Sequence, residues 1–577
     1  MKPPFIGLFV FVSVLLMLAG CGQPRLDDGW GSQPEDRVTA FRFRSVTGLP
    51  LNADGGWAGA RNAGISHPVD QPFRLRIRIE AGSGHPVPRR FSLQYRLNDS
   101  DWMPVIASDF PYPEAATPPV AVVGTEADEP AAETMPLLGR ADTAFLPGAG
   151  LNLQASTPFW AGVDTAGEWS WPLVIRRYGD GPVAIKDGDQ VSLRVVDDVG
   201  KPLPTETLPT VTAQVPDGHL GGTFIETPGR IGPWEATNGD LYFLMEPTET
   251  DNVFMVLKSM DRGATWHEVD GPNRPAAGDL EGVASVLIDG TIHSLHQTSD
   301  AVWHHAFRSS DHPEAPDTWA FTDKQVAAPP EPPIQTVSLT ARPDGSLVGF
   351  FAGPGDLRLA EGTPDGAWQP VATLRPEGPH SLSGPVALSE PDGTLHLAYT
   401  RSDGTAWYRQ LRPDNTLTDK QQVTDGLGTE EADWIALLPL ARDARNDQVS
   451  LIFRRTEGTL VEHRIRNGIL DTPATVTDRP VIQNAVDSDQ AGADLVIHDG
   501  KRYVLFIDRA DQDLWLTQTG ANGTWQPPKR LIDGITAQWV RGQVQTRGPD
   551  GPVYGFVYDA GSNGGAGMNR YGSVPLD

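Results

Sequence analysis

Residues Lys258 to Val269 read KSMDRGATWHEV. Inside that stretch Ser259, Asp261, Gly263, Thr265 and Trp266 stand in the order S-x-D-x-G-x-T-W. These residue types dictate a tight hairpin. Ser, Thr and Asp side chains satisfy turn backbone groups, Gly admits positive φ, and Trp packs beneath the hairpin.

Working outward, a small turn pair recurs between apolar runs. The pairs are Asn238-Gly239, Asp289-Gly290, Asp344-Gly345, Asp392-Gly393, Asn446-Asp447, Asp499-Gly500 and Asp550-Gly551, with spacings of 51, 55, 48, 54, 53 and 51. Asp-Gly and Asn-Gly between β runs are hairpin turns. Aromatic residues follow several of them, as in Trp319, Asp365-Gly366-Ala367-Trp368 and Asn522-Gly523-Thr524-Trp525. Seven units of about fifty residues predict a β-propeller of four-stranded blades, with six blades as the alternative. Such blades cannot bury both faces alone, so the ring must close. Gly222 to Glu226 is the expected closing strand for the short last blade.

The Ser259–Trp266 pattern resembles the Asp-box of sialidase-like propeller (BNR-repeat) proteins. The resemblance covers residues 216–577 and implies fold rather than chemistry, because such propellers occur with and without enzyme activity.

Upstream, residues 38–215 carry short period-2 runs such as Phe73 to Glu80, which set Phe, Leu and Ile on one face and Arg and Glu on the other. They predict an immunoglobulin- or fibronectin-like β-sandwich, interrupted by a Pro/Ala/Glu-rich surface excursion over 108–142. A carbohydrate-binding sandwich using exposed Trp is the rival to a spacer. No long helical stripe follows the N-terminus, so the fold class is all-β. Residues 1–21 pair Lys2 with an apolar run ending Leu18-Ala19-Gly20-Cys21. This resembles the signal peptide and lipobox of bacterial lipoproteins, implying lipidation of Cys21 and a cell-envelope location. Gly22 after the Cys points to the outer membrane, periplasmic or surface-facing, and 22–37 form a tether. Cys21 is the single cysteine, which excludes a disulfide or thiolate site. A net charge of −28 excludes nucleic acid as a general partner.

The blade geometry places the Asp-Gly turns and the Asp-box on one face. Ligand-facing residues then lie opposite, at starts of first strands and ends of second strands. Candidates for ligand binding are Arg230, Arg401, Arg455, Arg509, Trp539 and Arg541; catalytic candidates are Glu246, His296 and Tyr558. Arg suits carboxylate or sulfate, and aromatic rings suit sugar stacking. Sialidases need an Arg triad, a Tyr nucleophile with a Glu base, and an Asp acid; Gly232 stands where their first blade has Pro. The second unit, with His293, His296, His304 and His305, loosely resembles the His-bearing blade of propeller lyases acting on uronic-acid polymers. His293 and His296 lie at i, i+3 on a strand, on opposite faces, and no metal motif or cofactor is implied. The expected function is an envelope-anchored propeller that binds glycans or an envelope protein partner, or serves as an interaction scaffold; the alternative is a glycan-degrading enzyme.

Overall fold

The computed structural model describes residues 35–576 apart from 45–49, 83–87, 109–118, 124–133, 140–142, 148–150, 153–154, 163, 178–184, 223–228, 246–254, 271–273, 276–281, 298–300, 310–318, 328–335, 354, 430–438, 444–447, 483–491, 550 and 561–568. Cys21, the tether up to residue 34, Glu246, and the turn residues Asn446, Asp447 and Asp550 therefore lie outside the described residues. The chain is all-β, with no α-helix among the described residues.

The N-terminal part builds two sheets around one core. One runs in the order Arg37–Arg44, Phe73–Glu80, Thr165–Ile175, Val120–Val123, Ile106–Ser108. The other runs Ile65–Pro68, Thr210–Gln214, Gln190–Val196, Ser92–Leu97, Ala155–Ser156, Leu151–Asn152, with Met103–Pro104 also beside Ser92–Leu97. Strand alternation sends Phe73, Leu75 and Ile77 of the first sheet and Leu93, Leu193 and Val211 of the second into that core, where Trp169 and Trp171 are fully buried. Truncating either indole to Ala would cost about 3–5 kcal/mol.

The charged face of Phe73–Glu80 is also covered. Arg76 and Arg78 are buried around Glu168, whose carboxylate accepts from Arg76 Nε at 2.7 Å and from the Leu137 and Leu138 N–H groups at 3.0 and 2.9 Å. Within the expected surface excursion Leu137–Gly139 are instead drawn onto the sheet, while Met135 and Pro136 stay exposed. A buried carboxylate needs donors, and this segment supplies them.

Seven antiparallel sheets follow, each of strands consecutive in sequence. Sheet I comprises Trp234–Glu235, Leu241–Met245, Met255–Ser259 and His267–Glu268. Sheet II comprises Val283–Ile288, Thr291–Gln297, Val302–Arg308 and Trp319–Ala327. Sheet III comprises Val337–Ala341, Leu347–Ala352, Leu357–Gly362 and Trp368–Leu374. Sheet IV comprises Leu382–Ser389, Leu395–Arg401, Thr405–Leu411 and Gln421–Thr424. Sheet V comprises Leu440–Asp443, Gln448–Arg454 and Leu460–Arg466, with Ile469–Leu470 and Ala474–Thr477 both along the third strand. Sheet VI comprises Ala493–His498, Lys501–Ile507, Leu514–Gln518 and Lys529–Ile532. Sheet VII comprises Val540–Gln545, Val553–Asp559 and Asn569–Pro575. First strands touch first strands from sheet II through to VII, and VII touches I. Ser285 N–H donates to Arg230 O at 2.5 Å, joining I to II. The arrangement is a closed, propeller-like ring.

Among the described residues, closure uses 218–220, just upstream of the expected segment. His219 bridges Arg570, Leu220 N–H donates to Asn569 O at 2.8 Å, and Tyr571 N–H donates to Gly218 O at 2.7 Å. Residues 218–220 thus align with the last strand, Asn569–Pro575. Of the expected Gly222 to Glu226, all but Gly222 lie outside the described residues.

The Ser259–Trp266 hairpin is closed by its own side chains. Asp261 accepts from Ser259 Oγ and, at 2.8 Å, from Thr265 N–H; Ser259 Oγ accepts from Gly263 N–H at 2.7 Å. Trp266 is buried and donates to Gly263 O at 3.1 Å. Gly263 has φ 91°, and a Cβ there would lie 2.1 Å from the Tyr571 ring, so only glycine fits against sheet VII.

Candidate ligand-binding face

At one end of the ring, the loop after the second strand of a sheet bonds to the segment leading into the next sheet. Leu382 N–H donates to Gly355 O, Leu427 N–H to Gly404 O, Val481 N–H to Gly458 O and Ala537 N–H to Gln512 O. Arg401, Arg455 and Arg509 stand on this end, at or just past the second strands of sheets IV, V and VI. Arg401 is engaged by Asp403 within its own loop. Arg509 is exposed, and its guanidinium donates at 3.3 Å to the carbonyl of Thr456, the residue after Arg455. Neither Arg455 nor Arg509 has a carboxylate partner among the described residues. Two guanidinium groups therefore lie on adjacent loops without a carboxylate partner among the described residues.

Beside them Arg479 pairs with Asp508 at 2.7 Å and stacks 3.7 Å from the Trp515 ring, with Arg530 at 5.1 Å from the same ring. Carboxylates hold both arginines here, through Asp508 and Asp511. Sequence reasoning missed this stack; the Trp of Leu514–Gln518 on an alternating strand was its only signal.

Several sequence candidates are placed elsewhere. Arg230 donates to Gly542 O at 2.8 Å and Leu495 O at 3.2 Å and lies 3.3 Å from Asp494. It ties the segment entering sheet I to the first strands of sheets VI and VII, while its side chain keeps 30% exposure. Asp494, also missed, accepts from Gly542 N–H at 2.8 Å and from Tyr554 OH at 3.0 Å. Arg541 is buried in the same group, and burial lowers its pKa to about 10 against the raising effect of Asp494. Burial, then Asp494, drives the Tyr554 hydroxyl well up. Trp539 is wholly buried in the core shared by sheets I and VII. Neither Arg541 nor Trp539 can meet a ligand, because stacking of neighbouring first strands encloses them.

Of the catalytic candidates, the two that are described, His296 and Tyr558, are likewise enclosed. His296 is wholly buried, its ring 6.3 Å from that of His305. Tyr558 packs on Phe556 at 5.9 Å, and burial raises its pKa. His293 points to the opposite side of its strand, as i, i+3 spacing requires, and its Nδ1 lies 3.0 Å from His304 Nε2. Trp368 of sheet III donates to His304 Nδ1 at 3.0 Å. An indole N–H only donates, so a neutral His304 carries its proton on Nε2 and passes it as a donor to His293 Nδ1. Burial lowers His293 to about 4, and burial with His293 and His305 lowers His304 to about 2. His305, enclosed beside His296, is lowered by burial to about 3. His304 joins sheet II to sheet III, and all four histidines are buried. No cluster of three or more metal-ligating side chains occurs among the described residues.

No family model matches the chain, and no curated protein matches it. Among solved structures it is similar to the BP39L lectin from Burkholderia pseudomallei, at 12% identity over 62% of this chain and 96% of that one, TM-score 0.43. It is also similar to a PL25 ulvan lyase, at 11% identity over 61% and 94%, TM-score 0.42. A third is the Aleuria aurantia lectin, a six-bladed β-propeller, at 12% identity over 55% and 98%, TM-score 0.35.

Proposed function

We propose that this chain is an envelope lipoprotein, anchored through Cys21 and leaning to the outer membrane, whose propeller binds an acidic glycan. In this reading residues 38–215 are a β-sandwich and residues 216–577 a seven-bladed Asp-box propeller, with one blade per sheet I to VII. The observation that carries the reading is the pair Arg455 and Arg509 on adjacent loops, half-buried and exposed, and without carboxylate partners among the described residues. Guanidinium forks suit carboxylate and sulfate groups, and a ligand anion would complete them. Burial of His296 and Tyr558 supports binding over hydrolysis or elimination, since an acid or base must reach the bond it serves.

The test is incubation of the folded chain with sialylated glycans and uronic-acid polysaccharides, followed by mass spectrometry and by titration calorimetry. Unchanged glycans, with binding weakened about tenfold in Arg455→Gln/Arg509→Gln, are expected. Products gaining water, or unsaturated products, would replace binding by enzyme action. No binding to any member would leave the scaffold role.

A further inference from the structure

Along Ser92–Leu97 and Gln190–Val196 the side chains alternate. Leu93, Tyr95, Val191, Leu193 and Val195 enter the N-terminal core. Gln94, Arg96, Ser192 and Arg194 face the other way. The register sets Arg194 opposite Gln94 and Arg96 opposite Ser192, so the two guanidinium groups are diagonal neighbours on one face. Like charges so placed repel.

No carboxylate relieves them among the described residues. Arg194 donates from Nε and Nη2 to the single acceptor Gln94 Oε1, at 2.9 and 2.6 Å. Arg96 Nε is buried and has no hydrogen-bond partner. The Trp102 indole lies 4.1 Å from the Arg194 guanidinium and 5.1 Å from that of Arg96, holding both on this face. Burial and the neighbouring Arg96 both lower the Arg194 pKa. The chain has 74 acidic and 46 basic residues, so carboxylates are in surplus. Two arginines are thus held side by side without one among the described residues, with more N–H donors than acceptors between them.

We propose that this face is a second binding site, for an acidic polysaccharide, with Arg96 and Arg194 receiving its anionic groups and Trp102 aligning the two forks. The site continues across Thr210 and Thr212 of the next strand, three strands or about 10 Å wide. A single polymer chain fits the charge pattern better than an anionic membrane. It reaches the two arginines without bringing the rest of a molecule of net charge −28 against a charged plane. The proposal stands on its own residues and does not depend on Arg455 and Arg509.

The experiment titrates the full chain with polygalacturonate, dextran sulfate and neutral dextran, and with vesicles containing anionic phosphatidylglycerol. With the ring site removed by Arg455→Gln/Arg509→Gln, the remaining binding of an acidic polymer is expected to weaken about tenfold or more when Arg96→Gln/Arg194→Gln is added. Whichever polymer shows the loss names carboxylate or sulfate as the group read. Unaltered affinity in the folded combined variant would overturn the proposal. So would equal binding of neutral dextran by the parent chain, or a loss confined to vesicles. Should the combined variant not fold, Ser192→Glu added to Arg455→Gln/Arg509→Gln sets a carboxylate opposite Arg96 and is expected to weaken binding comparably; retention there would equally overturn it. Failure of the ring reading appears on Arg455→Gln/Arg509→Gln alone.

Discussion

The Trp368–His304–His293 chain joins sheets II and III by hydrogen bonds whose donors and acceptors are fixed only while both imidazoles stay neutral. A proton added at His304 Nδ1 would face the Trp368 N–H, and one added at His293 Nδ1 would face the His304 donor. The folded state therefore refuses protons that the unfolded chain accepts near pH 6.5, as it does at His305. Because the unfolded state binds more protons below 6.5, stability rises with pH. It is fully present above about pH 6.5 and is lost as pH falls from there towards about 4 at His293, about 3 at His305 and about 2 at His304. The loss approaches about 1.4 kcal/mol per pH unit for each of these three histidines. Urea unfolding at pH 7 and pH 5.5 checks this, and equal midpoints would refute it. Trp368→Phe keeps the ring but removes the donor. It is expected to destabilise the ring of sheets by about 1–2 kcal/mol at pH 7, read in the same titration.

At the scale of the element, the Ser259–Trp266 hairpin separates two kinds of contribution. Asp261 acts locally by accepting from the turn, so Asp261→Ala is expected to cost about 1–2 kcal/mol. Gly263 acts between sheets. A methyl group there meets the Tyr571 ring at a φ that disfavours any side chain, so Gly263→Ala is expected to cost more, about 3 kcal/mol or above. Denaturant titration of both variants checks the order, and a Gly263→Ala midpoint above that of Asp261→Ala would contradict it. The same distinction explains what was readable in the sequence. Turn chemistry closes within a few residues, so the hairpin and the positive φ of Gly239, Gly290, Gly345, Gly393, Gly500 and Gly551 followed from residue type. Trp539, Arg541 and His296 were misplaced because their burial depends on a neighbouring sheet that sequence periodicity does not locate. Arg96 and Arg194 sat on the polar positions of their strands, but their shared lack of a carboxylate among the described residues emerges only from the cross-strand register.

Across the whole molecule, one guanidinium links the N-terminal sheets to the point where the ring closes. Arg177 donates to the carbonyls of His219 and Trp266, and its own N–H donates to Asp70 Oδ1 at 3.1 Å. Asp70 Oδ2 in turn lies 2.9 Å from His219 Nε2. His219 belongs to the closing segment, and Gly218 N–H donates to Ala264 O within the Asp261 hairpin at 2.7 Å. The first sheet, the last strand and the N-terminal core thus meet at one buried polar group. Arg177→Ala would strand two buried carbonyls together, a larger penalty than losing any one exposed bond. Opening of the segment 215–222 is then expected to become about tenfold more frequent or greater, while each set of sheets keeps its own core. Limited proteolysis reads this as faster cleavage between the two parts, and calorimetry as separation of one unfolding transition into two. Arg509→Ala, on the other end of the ring, is expected to change neither. Unaltered cleavage in Arg177→Ala would mean that the strand pairing of 218–220 with Asn569–Pro575 alone holds the junction, and that the Asp70–His219–Arg177 group is dispensable to it.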